Sequence, residues 1–375
     1  INIFEFLADL SILAIIFSIF TSTSIPITNI TLVFFVGPYI LFHKIYITTF
    51  FNIWSIIILM YYLLLYGIFP NNYNAFEVFF TYSRTIIVAM FIYNYIRVNP
   101  KNLKKVIVFI TISGVYLIIK FFLENDMGSI DWFSQTTSGY TIAGINRNTI
   151  AINLSIATIF FWYWVRSGKK WAYILFVISI AEAFITGSRK SVIFIPIGLA
   201  LFFFIEGWVD LRKRKSILKI VRNVIFILLI LVGFYYLIKN VPIIYGILGK
   251  RVEGLINLLR GTGTSELSAQ IRQNMNQISV SMFFDRPIFG GGFNYFATYS
   301  GWGTYSHNNY LENLVSFGFV GFILYYSMVF YLIRNFSKKS HILINSLSSN
   351  MYLIIFVLTL LIVLLDVAVV LIATK

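Results

Sequence analysis

The sequence predicts an all-α, polytopic integral membrane protein with about 11 to 12 transmembrane helices and one large extracytoplasmic loop containing an amphipathic helix. Three observations predict it. Of the 375 residues, 59% are hydrophobic and 11% charged, whereas a soluble domain carries about 25% charged residues. Aromatic side chains make up 19%, with 39 Phe, 24 Tyr and 7 Trp, as suits helices that face lipid and anchor at its interfaces. The apolar residues also fall in runs near the ~20 residues that cross a hydrocarbon core. Cysteine is absent, which removes disulfide frameworks, thiolate zinc clusters and thiol nucleophiles. Lys and Arg outnumber Asp and Glu by 29 to 14, a net +15. With no separate basic domain, that excess belongs to cytoplasmic loops and no nucleic-acid partner is expected. The first residue is Ile1, and no cleavable signal peptide is expected there.

The apolar runs lie near 3–20, 27–42, 48–69, 77–96, 104–123, 146–165, 171–187, 191–208, 222–240, 308–333 and 351–372. Alternate loops are basic: His43-Lys44, Arg97 to Lys105, Arg166 to Lys170, the Arg212 to Lys215 run through Arg222, and Arg334 to Lys339. Short loops rich in Lys and Arg stay in the cytoplasm, which puts the N-terminus inside and the remaining loops outside. An odd count, with Lys375 close behind the last run, suggests a further or truncated final helix. Three regions follow: residues 1–240 with transmembrane helices 1–9, an extracytoplasmic loop at 241–306, and C-terminal transmembrane helices at 307–375. A second outward loop spans 124–145. Within the large loop, Leu267, Ile271, Met275, Ile278 and Met282 recur every three or four residues, the period of an amphipathic helix over 266–284. Arg286-Pro287 ends that helix. Gly290-Gly291-Gly292 then permits a tight turn or a close backbone approach to a ligand.

The chemistry-bearing residues are few. The triple glycine lacks the Lys-Ser/Thr of a nucleotide phosphate loop, and no His-Glu-x-x-His is present, so neither nucleotide nor metal is expected as a cofactor. Of the three histidines, only His307 falls outside, where the large loop meets a membrane helix. Its plainer reading is an interfacial His bonded to neighbouring Asn side chains. Arg189 lies in the short outward turn Thr186-Gly187-Ser188-Arg189 and needs a partner near the interface, unless it is a snorkelling anchor. Arg272 shares a helix face with Asn276 and Ser279, which also describes a solvated charge. Arg84, deeper in a span, is either a ligand contact or an ion-pair partner of Glu182 or Asp366. Together the outward residues point to one chemistry. A guanidinium fork matches phosphate oxygens and stabilises a leaving diphosphate, and an imidazole takes the proton of an attacking sugar hydroxyl.

Three motifs then resemble the O-antigen ligase and polymerase superfamily of polytopic membrane glycosyltransferases, mainly over residues 140–335. Thr186-Gly187-Ser188-Arg189 is similar to its Thr-Gly-Ser-Arg element. Arg272 through Arg286-Pro287-Ile288-Phe289-Gly290-Gly291-Gly292 is similar to its Arg-helix-Pro-x-x-Gly-x-Gly segment. His307-Asn308-Asn309-Tyr310-Leu311-Glu312, with Gly318 and Gly321 beyond, is similar to its His-Asn-x-Tyr-Leu element. Asn146-Arg147-Asn148 resembles a polar signature of the group. One position departs: the family's aromatic residue three or four places after the loop Arg is replaced by Met275 and Asn276.

The resemblance implies a lipid-linked-sugar glycosyltransferase fold that works without metal on an undecaprenyl-diphosphate-linked glycan. Arg189 and Arg272 would hold the diphosphate and His307 would activate or orient the acceptor hydroxyl; Asp285 or Glu312 is the alternative base if His307 only orients it. Asn308, Asn309, Glu312, Asn146, Arg147 and Arg84 complete the expected substrate contacts. The expected partners are lipid-linked oligosaccharide donor and acceptor, membrane lipids and other envelope polysaccharide assembly proteins. The expected location is the bacterial cytoplasmic (inner) membrane, with the site on its outer side. A polymerase of capsule or O-antigen repeat units is the first expectation. A ligase moving the glycan to lipid A core or a protein is the second. A flippase of lipid-linked glycans belongs to another class, but no paired broken helices or inverted repeats are legible.

Overall fold

The structure is a computed structural model. It describes residues 3–21, 46–124, 141–142, 145–186, 188–212, 217–240, 267–346 and 355–361, with positions 245 and 249. The expected span at 27–42, the His43-Lys44 loop, most of the 124–145 loop, the start of the large loop and Asp366 lie outside the described residues. The helices are α1 (Ile3–Thr21), α2 (Phe50–Ile68), α3 (Ala75–Val98), α4 (Asn102–Glu124), α5 (Arg147–Arg166), α6 (Trp171–Ile185), α7 (Arg189–Arg212), α8 (Ile217–Asn240), α9 (Leu267–Asp285), α10 (Tyr295–Tyr299) and α11 (Asn309–Ser346). Each described apolar run is thus a helix, within a few residues of its expected bounds except at α11. A two-residue hairpin, β1 (Thr141–Ile142) against β2 (Ile145–Asn146), precedes α5. Among the described residues, α2, α3, α4, α5 and the stretch Asn309–Asn335 of α11 are long and apolar enough to cross a membrane. The chain is a multi-pass membrane protein.

Helix α5 is the central post. Of its apolar stretch 83% is buried, against 28–44% in the other four spans. It packs antiparallel to α6, and Gly114 of α4 lets it come close: a Cβ there would lie 2.7 Å from the Ala157 Cβ. Small residues at such contacts replace the hydrophobic drive that lipid cannot supply. Around α5, one apolar cluster joins α1, α3, α4, α6 and α7 through residues such as Ile12, Phe91, Phe121, Phe161 and Ile195. A second cluster, with Trp54, Tyr62, Phe293 and Phe317, joins α2, α3 and α11.

Polar contacts mark the two ends of the bundle. At one end Lys105 pairs with Asp9 at 2.7 Å, and the Tyr95 hydroxyl donates to Asp9. Beside them the Asn52 and Asn94 amides donate to each other's oxygens at 3.1 and 3.2 Å. These residues adjoin the basic 97–105 loop, as the alternation of charged loops requires. At the opposite end, the turn between α2 and α3 meets the segment after α9. The buried Asn72 Nδ2 donates to the carbonyls of Gly291 at 2.9 Å and Phe293 at 3.0 Å. Asn294 Nδ2 donates to the Tyr73 carbonyl at 2.7 Å, and the Tyr73 N–H donates to Thr298 Oγ1 at 3.0 Å.

Helix α11 departs from the expected uninterrupted span at 308–333. It breaks at Gly318, whose φ of 62° and ψ of −171° lie outside helical space. The break frees main-chain groups inside an apolar protein, where each unpaired one is costly. The turn after α9 supplies partners for four of them. Gly291 and Gly292 N–H groups donate to Val315 and Ser316 carbonyls, both at 2.9 Å, while Phe319 and Val320 N–H groups donate to Pro287 and Ile288 carbonyls at 2.8 and 3.1 Å. The triple glycine does make a close backbone approach, to α11. No side chain fits in the contact: a Cβ on Gly318 would lie 2.3 Å from the Ile288 carbonyl oxygen, and one on Gly290 2.5 Å from that of Ser316.

Two outcomes follow from these contacts. Gly318→Ala adds the strain of a backbone conformation open essentially to glycine alone, about 1–3 kcal/mol, to a clash with main chain, so it lowers the thermal midpoint in detergent. Gly67→Ala, where a Cβ meets nothing within 4 Å, leaves it unchanged. Asn72→Ala strips donors from two carbonyls, a loss of about 1–3 kcal/mol for each buried unpaired group. Hydrogen exchange at Gly291–Phe293 reads it as faster opening of that turn, with the amides around Asn94 unaffected.

Candidate functional site

The His307 loop is assembled at the start of α11. Asn308 caps the helix, its Oδ1 accepting the N–H groups of Tyr310 at 3.1 Å and Leu311 at 3.3 Å, the usual work of an Asn at this position. Glu312, one turn on and buried, accepts the Ser306 N–H at 2.8 Å and the Ser316 hydroxyl at 3.3 Å. The Ser306 hydroxyl donates to the Asn308 carbonyl at 3.0 Å. Between these anchors His307 is exposed, has a φ of 58°, and sets its ring 4.3 Å from that of Tyr305. Asn309 starts the helix, and its carbonyl accepts Asn313 Nδ2 at 2.7 Å. The structure thus brings His307, Asn308, Asn309 and Glu312 together at one helix end, whose dipole favours negative charge. Glu312 is turned toward Ser306 and Ser316, an arrangement that anchors the loop.

Helix α9 docks beside this end. Ile271, Met275, Ile278 and Met282 cluster with Val315 of α11 and Phe296 of α10. Met275, standing where the family has an aromatic residue nearby, is 3% exposed and is itself a docking side chain. Arg272 lies on the exposed side. The expected shared polar face needs correction. Ser279 is buried and donates to the Met275 carbonyl at 2.8 Å, because α9 enters the bundle contact toward its C-terminus. Arg286, not singled out from the sequence as a contact, is exposed with its guanidinium over Phe69 at 5.0 Å and Tyr295 at 5.3 Å. A cation held between two ring faces keeps its N–H edges in a fixed plane.

The Thr186 to Arg189 turn joins α6 to α7, and its hydroxyls have a structural task. Thr186 Oγ1 and Ser191 Oγ donate to the Ala183 carbonyl at 2.6 and 2.9 Å, and Ser191 Oγ also approaches the Ser188 carbonyl at 2.8 Å. These bonds satisfy the end of α6 and fix where α7 starts, which is at Arg189. Asn146 closes β2 and Arg147 opens α5; at these two positions and at Arg189 the backbone alone is described. Arg84 is buried in α3. Of the alternatives open for it, the ion pair with Glu182 does not form: Glu182 is 1% exposed and both of its carboxylate oxygens lack a hydrogen-bond partner. Among the described residues no three His, Asp or Glu side chains lie together as metal ligands.

A family model described as O-antigen ligase matches residues 174–326. The matched stretch runs from α6 to α11 and holds the Thr186 turn, α9, the glycine plug and the His307 loop. No curated protein matches the chain. Family members are membrane glycosyltransferase-like enzymes. The matched region and the all-helical membrane fold agree with the motifs, and over residues 174–326 the chain is similar to the O-antigen ligase family.

Proposed function

We propose that the protein is a polymerase of surface-polysaccharide repeat units, of capsule or O-antigen type, working without metal at the outer face of the bacterial cytoplasmic membrane. It moves a growing glycan from undecaprenyl diphosphate to a hydroxyl of a lipid-linked repeat unit. The observation that supports this most is the His307 loop: an exposed imidazole held by neighbours pinned on both sides, at a helix end that favours anions. In the reaction the acceptor oxygen attacks the anomeric carbon, the bond to the diphosphate oxygen breaks, and the diphosphate keeps the electron pair. His307 takes the hydroxyl proton, and Arg189 and Arg272 offset the charge gained by the leaving diphosphate. Asn308, Asn309, Asn146, Arg147 and Arg84 are the further candidate contacts.

A ligase of the same family differs only in its acceptor. The described part of the 241–306 loop folds back on α2 and α11 as α9, the glycine plug and α10, which favours the polymerase over an enzyme with a separate acceptor domain. Purified protein supplied with lipid-linked repeat units alone is expected to lengthen them; no growth until lipid A core or a protein acceptor is added identifies a ligase.

Cells lacking the native protein and complemented with wild type are expected to show a polysaccharide ladder on a gel. Arg189→Ala, Arg272→Ala and His307→Ala, at matched membrane levels, are expected to leave single lipid-linked units. For His307→Ala the purified enzyme loses about 100-fold or more in rate, the scale of a general base. Normal ladders from all three variants overturn the site and favour a flippase.

A further inference from the structure

The geometry points to Glu312 as a positioning residue that holds His307 in its working conformation, and this rests on the reading of His307 as the proton acceptor. Glu312 is 7% exposed. Its Oε2 accepts the Ser306 N–H at 2.8 Å and its Oε1 the Ser316 hydroxyl at 3.3 Å, so both oxygens are turned into the protein. Its own N–H donates to the Asn308 carbonyl at 2.8 Å, the same carbonyl that receives the Ser306 hydroxyl at 3.0 Å. Through these bonds one residue fixes the chain on both sides of His307: Ser306 by the carboxylate, Asn308 by the main chain. A left-handed residue other than glycine is disfavoured and persists only where its surroundings enforce it. His307, with a φ of 58°, is the one residue between the two anchors, and its backbone takes the conformation that joins them.

A base must present an oxygen to the incoming hydroxyl, whereas this carboxylate faces Ser306 and Ser316. Its place in the first turn of α11 stabilises it there. The N–H and O–H bonds it accepts from Ser306 and Ser316 occupy both oxygens. Removing the carboxylate therefore releases the Ser306 strand and lets His307 leave its left-handed conformation, while the end of α9 stays bonded to α11.

The test compares purified Glu312→Gln, Glu312→Leu, His307→Ala and the double variant His307→Ala/Glu312→Leu in glycan transfer, with donor and acceptor varied separately. A glutamine oxygen still accepts the Ser306 N–H, so Glu312→Gln is expected to stay within about threefold of wild type, whereas a displaced His307 costs Glu312→Leu about 100-fold in kcat. KM for the donor stays unchanged, and the double variant is no slower than His307→Ala alone. If Glu312→Gln is as slow as Glu312→Leu, the carboxylate itself takes part in proton transfer and the positioning role is wrong. An additive double variant, or a fully active Glu312→Leu, also overturns it. Should Glu312→Leu fail to accumulate in the membrane, Glu312→Gln against His307→Ala still decides. A fully active His307→Ala sinks the proposed function instead, whatever the Glu312 variants do.

Discussion

The half of the molecule that holds α9 and α10 depends on four main-chain hydrogen bonds that close the break in α11. A helix interrupted inside an apolar protein leaves groups that lipid cannot satisfy, and residues 287–292 meet that demand with two donors and two acceptors. The exchange ties the end of α9 to the middle of α11. It also sets where Phe293 and α10 lie, and so where Asn72 and Tyr73 of the α2–α3 turn find their partners. Without side chains at Gly290 and Gly318 the two backbones come within bonding distance; with a methyl at either, they do not.

The candidate site draws its rigidity from that seam. The first part of α11, between Asn309 and the break, is held at its lower end by the glycine turn, along its side by Met275 and Met282, and at its upper end by the Asn308 cap. The Thr186 turn works alike on the other side of the matched region. Its hydroxyls serve the end of α6 and fix where α7 starts.

Much of the fold was legible in the sequence because lipid imposes long apolar runs, and every described run is a helix. The amphipathic period of α9 was legible too, since its Ile and Met stripe meets a real partner surface. The break in α11 was not. A glycine within an apolar run reads as tolerated in a helix, and its left-handed φ depends on bonds from residues about 30 positions earlier. For the same reason Gly290 to Gly292 left a tight turn and a close approach to a ligand both open, when the approaching group was main chain. Ser279 was misread because periodicity alone treats a helix as equally wet along its length, whereas α9 runs into the bundle. The pairing of Arg84 with Glu182 failed because opposite charge on two spans says nothing about their separation. At the site, the motif order placed His307 and its neighbours at one helix end, but the roles of Glu312, Thr186 and Ser191 appeared only as hydrogen-bond partners.

The contacts of α2 have a further consequence for how the chain is made. Trp54 Nε1 donates to the Leu324 carbonyl across 270 positions, the Tyr61 hydroxyl to the Phe317 carbonyl across 256, and Asn72 to Gly291 across 219. Synthesis proceeds from the N-terminus, so α2 and α3 enter the bilayer long before α11 exists. During that interval three polar side chains of α2 and the turn after it need substitutes, from water, headgroups or an insertion factor, and that half of the bundle cannot close. Its assembly is therefore a late event in biogenesis, completed only when the glycine turn and α11 arrive together.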